Sequence, residues 1–271
     1  MPPLLAQQLV AHPDVPTTHL MGFCHGVFGM GTNFRSIAKA LVEVVPGLGV
    51  LLVDLRGHGA TPPMPPPHDL DAAAADVLRV MDAQTIPVVS LAGHSFGGKV
   101  VLDALALRPG VVRSAFVLDS MPGPRPMDPA SENAVHVLGV LESLPPRLES
   151  RDAFKTELAS KGFSAPIIEW LAMNVRREGD HYALRLDLVA IRAMLVDYFA
   201  RDLWPVVLAQ TSTERLTIVV AGKSTVFDAS SRERLEAIAN PNLSVVTLAG
   251  AGHWLHVDDP RGLVEAMQGR I

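Results

Sequence analysis

The segment VVSLAGHSFGGKVVLDAL holds Gly93-His94-Ser95-Phe96-Gly97, a G-x-S-x-G pattern between an apolar run and a helical one. A serine in this context sits on a sharp strand-to-helix turn, so that its hydroxyl projects from the edge of a sheet. Glycines two before and two after it let the strand and helix backbones approach closely. A serine hydroxyl is a poor nucleophile until a neighbouring base takes its proton. The chemistry expected of Ser95 is therefore attack on an acyl carbonyl through a covalent intermediate. The five-residue pattern alone is a weak signal, and the strand before it and helix after it make it specific.

The base has to be found among ten histidines. His253, in LAGAGHWLHVDDP, follows the last apolar run and precedes the last helical pattern, which suits a chain order of serine, acid, histidine. His256 falls at a helix start and reads as structural. His25 precedes the serine, His94 points elsewhere on the turn, and His58 in RGHG reads as a brace for its loop. His12, His68, His136 and His181 read as surface or capping residues. The acid has two candidates. After the run Leu216–Ala221 the chain reads Gly222-Lys223-Ser224-Thr225, with no carboxylate before Asp228. The run AFVLD instead ends on Asp119, and the span from Ser95 is long enough for a helix, a loop and a short strand. Parallel strands joined this way end on the same sheet edge. Asp119 is thus the first choice to orient His253, and Asp228 the alternative. Asp258 and Asp259 read as the cap of the last helix.

An acyl-transfer site also needs two donors aimed at the developing oxyanion. The amide of Phe96, just after the nucleophile, is one. Val27 in the loop His25-Gly26-Val27-Phe28-Gly29 is the other, with Phe28 in reserve. His25, Phe28, Trp170, Met173 and Trp254 are expected to line the substrate pocket. The cluster Phe163, Ile167, Trp170, Leu171 and Met173 has helical spacing that serves equally as simple packing. No metal site is expected, and no cofactor: a single cysteine, Cys24, also excludes an intramolecular disulfide and a thiolate metal site.

The elements that must position these residues alternate. His19–Cys24, Gly49–Val53, Ile86–Ala92, Val111–Leu118, Leu216–Ala221 and Leu243–Leu248 read as strands. Thr32–Val45, Leu70–Met81, Phe96–Leu107, Ser230–Ile238 and Asp259–Arg270 read as helices. This is the rhythm of an α/β fold with a parallel sheet. It breaks at the proline-rich 121–128 (MPGPRPMD), after which the chain to about Trp204 shows helical patterns and no convincing strand. The expected organisation is a core of 1–120 and 206–271 with a helical lid inserted over 121–205.

The chain has 271 residues, 48% of them hydrophobic, 19% charged, with a net charge of −5. That affords a sizeable core and offers no basic stretch for nucleic acid. No apolar run is long enough to span a bilayer, and the N-terminus has no signal-peptide pattern, so a cytoplasmic protein, monomer or homodimer, is expected.

These motifs together resemble the α/β-hydrolase superfamily, and within it the esterase and thioesterase subfamily that includes α/β-hydrolase-domain protein eleven and its bacterial relatives. The stretches that carry the resemblance are CHGVFGMGTNFRSIAKAL, VDLRGHGATP, GHSFGGKVVLDAL, FVLDSMPG, GAGHWLHVDDP and, in the insert, IIEWLAMNVRREGDHYALRLDL. The resemblance implies a mostly parallel eight-stranded sheet under a helical lid. It also implies an acid on the strand after the nucleophile turn, in agreement with Asp119, and carboxylic ester or acyl-thioester substrates. Leu184 and Asp187 depart from the aromatic residue and amide expected in the lid. The leading expectation is a serine esterase acting on small molecules with short-to-medium acyl chains. Perhydrolase or haloperoxidase-like chemistry, C–C bond hydrolysis on the same triad, and a non-catalytic ligand receptor are the alternatives.

Overall fold

Residues 2–127, 134–209 and 215–271 are described by the structure, a computed structural model. The elements run β1 (Gln7–Ala11), β2 (His19–Cys24), α1 (Arg35–Val44), β3 (Leu48–Val53), α2 (Leu70–Asp82), β4 (Val88–His94), α3 (Phe96–Leu107) and β5 (Ser114–Leu118). An insert follows with α4 (Ala134–Ser143), α5 (Arg151–Ser160), α6 (Ala165–Ala172), β6 (Val175–Glu178), β7 (His181–Leu184), α7 (Leu188–Ala200) and α8 (Trp204–Leu208). The chain closes with β8 (Arg215–Ala221), α9 (Ala229–Glu236), β9 (Leu243–Leu248), α10 (Leu255–Asp258) and α11 (Pro260–Gln268).

The inner strands of the sheet are buried along most of their length, while the edge strands β1 and β9 are largely open. In β3 every residue of LGVLLV is buried, as a strand covered on both faces requires. The order is β1-β3-β2-β4-β5-β8-β9, and every pairing is parallel except that of β1 with β3. Alternate residues feed two cores. Leu51, Val53, Leu91, Val117 and Ile218 face one side, with α2, α3 and much of the insert. Met21, Phe23, Leu52, Phe116 and Val219 face the other, with α1 and α11. Each large apolar side chain buried this way contributes about 2 kcal/mol. Caps such as Asp69, whose carboxylate accepts from the Ala72 amide at 2.8 Å, add about 1 kcal/mol. Packing therefore decides where the helices lie, and the caps fix where they start.

Two expectations are corrected. Among the described residues the main sheet has seven strands, where the resemblance implied eight. The segment between β1 and β2 carries Pro13 and Pro16 and runs without ladder pairing, since proline has no amide to donate. The insert is also not purely helical: β6 and β7 pair as an antiparallel hairpin of their own. Its turn is Gly179-Asp180, with Gly179 at φ +63°, and its edges are polar enough to hide the strand signal. Strand β1, missed in the sequence, is an edge strand with only Val10 buried. Residues 128–133, part of the expected linker and lid, lie outside the described residues.

Candidate active site

Because β2, β4, β5, β8 and β9 are parallel, the loops after them share the carboxyl edge of the sheet, the usual place for a site in an open α/β fold. Ser95 stands where β4 turns into α3, at φ 52° and ψ −116°, a region that L-residues rarely occupy. Asp119 follows β5 at φ 43°, and Phe28 follows β2 at φ 60°. These are the three non-glycine residues with positive φ among the described residues, and all three border one cavity or hold its walls. Such strain costs about 2 kcal/mol per residue and persists only where the surroundings over-determine the backbone. Here they do: the Ser95 amide donates to the Leu118 carbonyl at 3.0 Å, and the Asp119 amide to the Val219 carbonyl at 2.7 Å. The glycines are required. A Cβ on Gly93 would lie 2.1 Å from the Gly97 carbonyl oxygen, and one on Gly97 would lie 2.5 Å from the Cys24 carbonyl oxygen.

Asp119 is completely buried. Its Oδ2 accepts from His253 Nδ1 at 2.7 Å, and its Oδ1 accepts from the Ala221 amide at 3.1 Å. With Nδ1–H turned to the carboxylate, Nε2 of His253 keeps its lone pair, the form a general base needs. The His253 side chain is 36% exposed, and it lines the same cavity as Ser95. Asp228 is elsewhere. It is exposed and caps α9, accepting from the Ser231 amide at 2.8 Å. The Ser231 hydroxyl and amide, with the Ser230 hydroxyl, hold its carboxyl below the usual range. The structure thus joins His253 to Asp119, places Ser95 and His253 on one cavity, and leaves Asp228 apart.

The oxyanion donors separate in the same way. The Phe28 amide is engaged, donating to His58 Nε2 at 3.0 Å, so the reserve candidate is not free to donate to a substrate. The amides of Val27 and Phe96 have no protein acceptor among the described residues, and both residues line the cavity. The first loop lies directly against the nucleophile turn, since a Cβ on Gly26 would come within 3.3 Å of Ser95 Cβ.

The cavity encloses about 1100 Å³. Phe28, Trp170, Met173 and Trp254 line it as expected from the sequence. Trp170 meets Phe28 edge-on at 6.3 Å between centroids and Trp254 at 5.5 Å. His25 does not line it. Its ring is buried beneath the loop, with Nδ1 donating to the Gly26 carbonyl at 2.7 Å and Nε2 accepting from the Leu55 amide at 3.0 Å. His58 is likewise internal, donating from Nδ1 to the Arg56 carbonyl at 2.8 Å. Burial pushes His25 down to about 4 and His58 to about 3, so both are neutral props for the loop.

One site residue escaped the sequence reading of its direction. His94 is not turned away: its Nε2 donates to the His253 carbonyl at 2.7 Å, and its ring lies 4.7 Å from that of His253. Burial and the neighbouring rings keep His94 well below the usual histidine range. His94 therefore pins the loop that carries His253. Only the position of His94 inside the motif hinted at this, because its partner is far away in sequence.

With this geometry in place, comparison with known proteins gives a consistent result. Residues 23–266 match the alpha/beta hydrolase family. The chain is 29% identical over 252 residues to the mouse (Mus musculus) sn-1-specific diacylglycerol lipase ABHD11, covering 90% of this chain and 78% of that one. It is 25% identical over 252 residues to esterase YbfF of Escherichia coli strain K12, covering 90% of this chain and 89% of that one. A solved marine microorganism esterase superposes with a TM-score of 0.83 at 23% identity, covering 99% of both chains.

Proposed function

This chain is a carboxylesterase-type enzyme belonging to the alpha/beta hydrolase family, and we propose that Ser95, His253 and Asp119 are its catalytic triad. The observation that carries the reading is the 2.7 Å bond from His253 Nδ1 to buried Asp119, beside a serine held in a strained turn on the same cavity. Ser95 Oγ attacks the acyl carbonyl while His253 Nε2 takes its proton. The amides of Val27 and Phe96 stabilise the negative oxygen of the tetrahedral intermediate. Collapse breaks the bond to the leaving alcohol, or thiol in a thioester, which departs with the proton from His253. Water, deprotonated by His253, then attacks the acyl-serine and releases the carboxylic acid and free Ser95. Asp119 keeps its charge throughout and stabilises the imidazolium.

Substrates are small esters with short-to-medium acyl chains. The walls are mostly aromatic and aliphatic, and the volume is at the upper end for sites holding drug-sized ligands. On this reading the described residues of 1–120 and 206–271 are the core that carries the triad, and those of 121–205 act as a lid, whose Ile167, Trp170, Leu195 and Phe199 supply apolar wall. A p-nitrophenyl ester series from acetate to decanoate tests this. Turnover that peaks within the series is expected, and folded protein inactive at every length would overturn the reading.

A further inference from the structure

Lys99 lies one helical turn beyond Ser95 on α3, is 1% exposed, and is a costly residue to bury. Its ammonium has three protons and three acceptors. Nζ donates to the carbonyls of Gly123 at 2.8 Å, Tyr198 at 2.7 Å and Arg201 at 2.8 Å. Gly123 belongs to the segment by which the chain leaves β5 for the insert. Tyr198 and Arg201 are at the C-terminal end of α7, where carbonyls lack helical partners and the helix dipole favours a cation. The two ends of the insert are joined there by further bonds. The Arg125 amide donates to the Phe199 carbonyl at 2.8 Å, and the Leu203 amide to the Pro122 carbonyl at 2.9 Å. Burial, reinforced by nearby Arg125, lowers Lys99 to about 8, so it remains a cation at neutral pH.

Tyr198 carries this arrangement to the cavity. Its ring centroid is 4.7 Å from Lys99 Nζ and 5.7 Å from that of Phe96, and the residue lines the cavity with Ser95. We infer that Lys99 is a positioning residue, a clasp that closes both ends of the insert onto the nucleophile's own helix and so sets Tyr198 as a wall of the acyl pocket. Substrate selection by chain length then depends on a side chain that never touches substrate. The kinetic part of this inference rests on the esterase reading, and the clasp itself does not.

Two measurements test it. In the wild-type protein, amide hydrogen exchange at Arg125 and Leu203 is expected to proceed as one opening event, with rates within about threefold of each other. Independent rates would overturn the clasp whether or not any variant folds. In Lys99→Met both amides should exchange at least about tenfold faster while Leu91 and Phe116 in the central strands are unchanged. Unchanged amides, or equal acceleration throughout the sheet, would overturn it. For the same variant, KM for p-nitrophenyl octanoate should rise about tenfold with kcat for the acetate within about twofold. Equal losses on both esters would overturn the pocket-setting role. A wild-type protein without ester turnover would sink the esterase reading and leave the exchange result standing.

Discussion

The loops after β5 and β8 leave neighbouring strands of one sheet, and each supplies an aspartate that could in principle orient His253. Asp119 comes directly after its strand, is fully buried, and has one carboxylate oxygen on the His253 ring and the other on an amide of β8. Asp228 comes well past its strand end, stands in solvent, and has its Oδ1 committed to the first turn of α9. The difference teaches that a carboxylate becomes an orienting group through what fixes and desolvates it. Asp119 is held by β8, through the Val219 carbonyl and the Ala221 amide, whereas Asp228 is held by a helix whose start it defines.

The comparison can be broken from the side of the base. His253→Gln removes the group that Asp119 orients and should lower kcat on the order of 10⁵-fold in an ester assay, with the folded protein recovered. A loss below about tenfold would show that the Asp119–His253 pair is structural. It can be sharpened through His94, which holds the His253 loop from the nucleophile turn. His94→Phe keeps an aromatic ring at the position and deletes the donor, and about a tenfold drop in kcat with little change in KM is expected.

Acidification separates this contrast from general acid lability. His25, His58 and His256 are lowered by burial to about 4, 3 and 4. Their folded values are below the unfolded value near 6.5, so unfolding takes up protons between about pH 6.5 and 4, and stability falls as the pH falls through that window. Each fully buried ring accounts for about 3–5 kcal/mol at most, which should lower Tm by roughly 10 °C by calorimetry. His58→Gln should flatten that slope, and an unchanged slope would mean that His58 already carries its charge in the folded state. The smallest effect belongs to the capping aspartate. Asp228→Ala should leave kcat within about twofold and lower Tm by about 2–3 °C through loss of the α9 cap.

Much of this site could be read from local sequence. Ser95, its glycines and α3 are specified within one short segment, and His253 follows from chain order and its place between the last strand and helix. Asp119, the proposed acid, could be picked from the sequence because a strand end is a local feature with a global consequence. What was hidden depended on contacts distant in sequence. His94 bonds a carbonyl in the His253 loop, Lys99 bonds Gly123 and the end of α7, and His58 occupies the Phe28 amide. Edge elements were also obscured: β1 is mostly exposed, and the β6–β7 hairpin is too polar to show as a buried strand.

The central claim is that Ser95 is activated through His253 by Asp119. Rates of covalent labelling by a fluorophosphonate probe, measured for wild type, Ser95→Ala, Asp119→Asn and Asp228→Asn, test it most directly. No labelling of Ser95→Ala is expected, with labelling of Asp119→Asn slowed by about 10³-fold or more and labelling of Asp228→Asn at the wild-type rate. Loss of labelling in Asp228→Asn with Asp119→Asn unaffected would contradict it.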